Sequence, residues 1–102
     1  MLTERIGLIG AGQMATALAC GWIRAELVRP GSLVASDPSE EARKRFTQAT
    51  QAPTIANNLE VLQQSQVIVL AVKPQHAGRV LEELRGKLTP QHLVLSIVAG
   101  LR

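Results

Sequence analysis

Ile6-Gly-Leu-Ile-Gly-Ala-Gly-Gln-Met-Ala15 is a short apolar run that leads straight into Gly10-Ala-Gly-Gln-Met-Ala15. The second part has the form G-x-G-x-x-A, the pattern of a strand-to-helix turn that cradles a dinucleotide pyrophosphate. Each small residue has its own task. Gly10 permits the tight turn out of the strand, and Gly12, lacking Cβ, lets a phosphate approach the backbone. Ala15 allows the next helix to pack close to the sheet. The start of that helix offers free N–H groups and the positive end of its dipole to an anion. A glycine triplet alone also marks ordinary turns, so its surroundings decide the reading. Met14, Leu18, Gly21/Trp22 and Ala25 recur at helical spacing after it, and no charged residue falls between Ile6 and Ile23.

Working outward, apolar runs and helical patterns alternate along the chain. Arg5–Gly10 is expected as a first strand, Gly12–Ala25 as a helix, and Arg29-Pro30-Gly31 as a break. Ser32–Ser36 reads as a second strand, and Ser39 as the N-cap of a helix from Glu40 to about Thr47. Pro53–Ile55 is a short third strand, and Asn57 or Asn58 caps a helix running through Leu62. Gln66–Val72 is almost continuously apolar and β-branched, as in a strand buried on both faces of a parallel sheet. Pro74 opens a helix with the stripe Ala77, Val80, Leu81, Leu84 and Leu88, and Leu93–Val98 is a further buried strand. The alternation predicts one α/β domain over residues 1–102: a Rossmann-type, doubly wound, mainly parallel sheet with helices on both faces.

Composition narrows the classes. The chain is 46% hydrophobic and 19% charged, an ordinary globular mix, with no apolar run near the ~20 residues of a membrane span. Glu4 and the glycines break any signal-peptide core at the start. The net charge is +3, but Trp22 and Phe46 are the only aromatics, so the chain lacks a stacking platform for nucleic acid. Arg43-Lys44-Arg45 follows Glu40-Glu41 and reads as the solvated face of a helix. The single cysteine, Cys20, excludes an internal disulfide, suits a reducing cytoplasm and reads as a small buried hydrophobe. With His76, His92 and Cys20 so far apart, no metal set is recognisable, and none is expected.

In such a sheet ligands lie across the carboxyl ends of the strands, which nominates site residues. Ser36-Asp37-Pro38 ends the second strand. An acid there accepts the ribose 2′-OH of NAD, whereas an NADP site wants hydroxyl or basic partners, and Asp37 also fits a turn or cap. Asn58 contacts adenine or ribose, or else caps its helix. Lys73, in Ala71-Val72-Lys73-Pro74, suits a phosphate, a nicotinamide carboxamide or an acidic substrate, the alternative being a solvated loop lysine. The small residues of Val98-Ala99-Gly100 let a nicotinamide ring lie against backbone. His76 reads as a helix-surface histidine near this end, and His92 as starting the last strand away from the ligand.

Ile6–Ala17 (IGLIGAGQMATA), Ala35-Ser-Asp-Pro38, Leu70-Ala-Val-Lys-Pro-Gln75 and Ser96-Ile-Val-Ala-Gly100 occur in this order and spacing over essentially the whole chain. Together they resemble the N-terminal domain of the pyrroline-5-carboxylate reductases. The AVKPQ and SIVAG segments are more specific than the glycine turn. The resemblance implies NAD(P)H-dependent reduction of 1-pyrroline-5-carboxylate to L-proline. It implies that Ile9, Gly10, Ala11, Gly12, Gln13 and Met14 hold the pyrophosphate, and that Ser36 and Asp37 lie at the adenosine ribose. It puts Asn58 at the adenosine half, and Ala71, Val72, Lys73, Pro74, Val98, Ala99 and Gly100 at the nicotinamide end. NADPH is the cofactor it favours, with NAD(H) as the alternative, because the Asp37 carboxylate repels a 2′-phosphate unless turned away. It also implies a further helical domain that completes the substrate pocket and joins subunits into a homo-oligomer, so that residues 1–102 alone are expected to be inactive. The alternatives are another NAD(P)-dependent enzyme of the β-hydroxyacid dehydrogenase or F420-dependent NADP reductase group, and a non-catalytic NAD(P)H-sensing module.

Overall fold

In a computed structural model that describes residues 4–89 and 92–96, five parallel strands form one sheet. The strands are β1 (Ile6–Ile9), β2 (Leu33–Ser36), β3 (Thr54–Ile55), β4 (Val67–Leu70) and β5 (Leu93–Ser96), in the spatial order β3-β2-β1-β4-β5. The helices are α1 (Gln13–Arg24), α2 (Glu40–Thr50), α3 (Asn58–Gln64) and α4 (Pro74–Leu84). The chain builds outward from β1 to β3, then returns to the other side of β1 for β4 and β5. The topological switch therefore falls between β1 and β4, which pair Ile6 with Val67 through Ile9 with Leu70. This is the doubly wound sheet that the alternating pattern predicts.

The period-two alternation of side chains divides the core into two layers. Ile6 and Leu8 of β1, Leu33 and Ala35 of β2, and Val69 of β4 pack with Ala15 and Ala19 of α1 and Phe46 of α2. Ile9, Val34, Ile68 and Leu70 point the other way, to Val61 and Leu62 of α3 and to Ala77, Val80 and Leu84 of α4. Ser36 ends β2 on this second face and is completely buried. The same alternation turns Gly7 toward α3, where a Cβ would run into the Val61 Cγ1 and Ser65 Oγ atoms. Gly7 is therefore the residue that lets α3 lie close to the sheet.

Helix ends differ from the sequence reading for local reasons. Ser39 caps α2 by accepting from the Ala42 N–H at 3.1 Å, as expected, but the helix runs on to Thr50 instead of Thr47. There the Thr50 hydroxyl donates to the Phe46 carbonyl and accepts from the Ala52 N–H, which ties off the last turn from within. Asn57, not Asn58, caps α3, its Oδ1 accepting from the Leu59 N–H at 2.8 Å. α4 stops at Leu84 before Gly86 (φ +78°), so Leu88 lies beyond the helix and, like Leu81, is exposed; only Ala77, Val80 and Leu84 of the proposed stripe are buried. Cys20 is half-buried rather than buried, with its Sγ against the Ala49 carbonyl. Of the basic run, Lys44 pairs with Glu40 in solvent and Arg45 is exposed while bordering a cleft, but Arg43 is half-buried.

Two glycines give opposite stability outcomes. Gly7→Ala is expected to lower unfolding free energy by about 1–3 kcal/mol, since the buried side chains of Val61 and Ser65 would both have to shift. Gly21→Ala, inside α1 with no atom within 4 Å of the added Cβ, is expected to raise it by about 0.5–1 kcal/mol. Chemical denaturation of the three proteins checks both signs.

Candidate functional site

The carboxyl ends of β1, β2 and β4 open into a cleft of about 950 Å³. Its floor is the turn after β1. Gly10 sits at φ +109°, and a Cβ there would lie 2.6 Å from the Ala71 carbonyl oxygen, so both conformation and space demand glycine. A Cβ on Gly12 would meet no protein atom within 4 Å; the room beside it is open. α1 then starts with no side-chain cap on Gly12, and among the described residues nothing accepts from the Gln13 or Met14 N–H groups. The turn is thus a cradle of free donors at a helix N-terminus with no side chain in the way.

Neighbouring strand ends hold this cradle in shape. The Gly10 N–H donates to the Ser36 carbonyl at 2.7 Å, and the Ala11 N–H donates to Asp37 Oδ2 at 3.0 Å. The other Asp37 oxygen accepts from the Ser39 N–H at 2.9 Å, closing the turn into α2. On the opposite side the Ala71 N–H donates to the Ile9 carbonyl at 2.9 Å. The Asp37 carboxylate is therefore turned back into the protein, with a backbone donor on each oxygen, although Asp37 still borders the cleft.

The residues where β2 and α3 border the cleft are linked by side chains. Because Asn57 does the capping, the Asn58 amide is free to face the cleft. Its Oδ1 accepts from the buried Ser36 hydroxyl at 2.5 Å, and its Nδ2 donates to Glu83 Oε1 of α4 at 2.9 Å. Ile9, Gly10, Gly12, Ser36, Asp37, Asn58, Ala71, Val72 and Lys73 all border the cleft, which brings most of the sequence-nominated residues together. Ala11 is buried behind the turn, Met14 packs against the core, and Gln13 and Pro74 are exposed at helix starts; these four do not line it. Val98, Ala99 and Gly100 lie outside the described residues.

Sequence reasoning missed Arg45, Arg79 and Glu83, which also face the cleft. His76, Arg79 and Glu83 fall at helical spacing beside the apolar stripe of α4, and that polar stripe is the signal that marks them. His92 sits at the opposite end of the sheet, where its Nε2 meets the Leu62 carbonyl at 2.9 Å and its Nδ1 accepts from the Thr89 N–H. Among the described residues no three His, Cys, Asp or Glu side chains gather to hold a metal, and no helix is long and apolar enough to cross a membrane.

A doubly wound sheet with a glycine turn at its switch point defines a dinucleotide-binding domain of the oxidoreductase type. The chain belongs to the family described as NADP oxidoreductase, coenzyme F420-dependent, whose model matches residues 5–100. It is 38% identical over 100 residues to a pyrroline-5-carboxylate reductase of Methanosarcina acetivorans, covering 98% of this chain and 37% of that one. The pyrroline-5-carboxylate reductase structure from Coxiella burnetii superposes with a TM-score of 0.88 at 30% identity, over 99% of this chain and 37% of that chain. The Plasmodium falciparum pyrroline carboxylate reductase with NADP bound superposes with a TM-score of 0.82 at 33% identity, over 99% and 36%. The chain thus spans little more than a third of the length of these relatives.

The double use of the Asp37 carboxylate makes it a structural acceptor even without ligand. Asp37→Ala is expected to destabilise the cofactor-free protein by about 1–3 kcal/mol, because the Ala11 and Ser39 N–H groups lose their partner. Thermal and chemical unfolding without nucleotide measure this; unchanged stability would show that Asp37 does not brace the turn.

Proposed function

We propose that this chain is the cofactor-holding part of an NAD(P)H-dependent reductase of 1-pyrroline-5-carboxylate, the enzyme that forms L-proline, with NADPH as its reductant. The observation that carries the reading is the preformed cradle: Gly12 with open space beside it, ahead of a helix whose first N–H groups have no acceptor. That geometry fits a pyrophosphate. The similarity to pyrroline-5-carboxylate reductases over nearly the whole chain supports the choice of substrate.

When bound, the dinucleotide supplies the hydride that adds to the C=N carbon. The residues of this chain do the holding. In this reading the backbone of Ile9–Met14 receives the pyrophosphate, although Ala11 contributes through the turn's shape, its own N–H being taken by Asp37. Ser36, Asp37 and Asn58 form the adenosine ribose side. Asp37 is compatible with a 2′-phosphate because its carboxylate is already directed at backbone donors, and Arg45 and Arg79 on the cleft walls supply positive charge. Ala71–Pro74, with Lys73 at the mouth, and Val98–Gly100 form the nicotinamide side. Proton delivery to the imine nitrogen falls to water or to residues outside this chain. The substrate wall and the contacts of a homo-oligomer belong to a further helical domain, and the setting is the cytoplasm.

Gly12→Val separates folding from binding. It is expected to lower unfolding free energy by no more than about 1 kcal/mol, the N-cap preference for glycine over valine, since a Cβ at Gly12 meets no protein atom within 4 Å. It is expected to weaken NADPH binding about tenfold or more by filling the phosphate space. Calorimetric titration checks the affinity. Consumption of NADPH with pyrroline-5-carboxylate by the intact protein checks the reaction; turnover of β-hydroxy acids and not of the imine would replace this reading with that of a dehydrogenase.

A further inference from the structure

A hydrogen bond between Asn58 and Glu83 joins the start of α3 to the last turn of α4. Glu83 is exposed on the last turn of α4 and borders the cleft, whereas Ser36 is completely buried at the end of β2. Asn58 lies between them, held by both. An ionised carboxylate only accepts hydrogen bonds, so Glu83 decides which end of the amide faces it. Nδ2 turns to Glu83 and Oδ1 turns to Ser36, whose hydroxyl then donates. One Nδ2 hydrogen is used on Glu83. The other remains for whatever occupies the cleft, so Asn58 presents a donor there.

We propose that Glu83 is a positioning residue for the adenosine half of the dinucleotide: by orienting the Asn58 amide it makes this wall of the cleft a hydrogen-bond donor toward ribose or 2′-phosphate oxygen. The inference rests on the dinucleotide reading given above. Without Glu83 the amide can rotate. A flipped amide would set its NH₂ toward the Ser36 hydroxyl and offer a carbonyl oxygen to an oxygen-rich ligand, a repulsive pairing for phosphate. Because Glu83 acts through Asn58, removing either residue should cost the same interaction, and removing both should cost it once.

The test is a double-mutant cycle of Glu83→Ala and Asn58→Ala in the intact protein, read by calorimetric titration with NADPH, ADP-ribose and nicotinamide mononucleotide. Each single variant is expected to bind NADPH and ADP-ribose about tenfold more weakly than wild type. The double variant should bind no more weakly than the singles. Nicotinamide mononucleotide affinity should not change. Glu83→Gln, whose amide accepts or donates equally well and so no longer selects the Asn58 orientation, should lose most of what Glu83→Ala loses, whereas a general effect of side-chain bulk on the helix surface would leave Glu83→Gln near wild type. Losses that multiply in the double variant would overturn the proposal, as would a Glu83→Ala protein that binds NADPH as well as or better than wild type. If wild type itself binds none of the nucleotides, the dinucleotide reading falls, and this one with it; normal wild-type binding with multiplying losses removes this one alone.

Discussion

Two hydrogen bonds donated by backbone N–H groups hold the most demanding piece of this chain: the Gly10 N–H on the Ser36 carbonyl and the Ala11 N–H on the Asp37 carboxylate. They fasten the turn after β1 to the end of β2. Gly10 can then stay at φ +109° with the Ala71 carbonyl pressed close behind it. Everything functional in the cleft follows from that fastening. The turn aims the start of α1 at the open space beside Gly12. The same two residues that fix it, Ser36 and Asp37, lead on to Asn58 and to the cap of α2. A ligand arriving here meets donors whose positions were set during folding, which spares the ordering cost of arranging them at the moment of binding.

The fold was largely legible because its physics is local. A continuous apolar run such as Val67–Leu70 reads as a strand buried on both faces, and a glycine triplet between strand and helix has few other uses. Helix ends were less legible. Whether α2 stops at Thr47 or Thr50 depends on a threonine bonding back into its own helix, and periodicity does not report that. The choice between Asn57 and Asn58 as cap turns on one residue of register, and it frees Asn58 for the cleft.

The site divides in the same way. Residues at strand ends could be nominated because topology alone brings them together. The state of Asp37 could not, because an acid at that position reads alike whether it faces a ribose or its own backbone; only the two N–H groups pointing at it distinguish the cases. Arg45, Arg79 and Glu83 were hidden for another reason. They come from the polar sides of α2 and α4, where a charged residue facing a cleft and one facing solvent have the same spacing. Ser36 shows how alternation carries information across the molecule. Because β2 points it at the α3 and α4 face, a buried hydroxyl in the sheet reaches a carboxylate on an outer helix through a single amide.

The central claim is that the cradle is built before its ligand arrives. Residue-resolved amide hydrogen exchange on the nucleotide-free protein tests it directly. The Gly10 and Ala11 amides should exchange as slowly as those of β1, while the Gln13 and Met14 amides exchange freely until NADPH is added. Rapid exchange at Gly10 and Ala11 that slows only with nucleotide present would mean that the ligand shapes the turn, and would contradict this account.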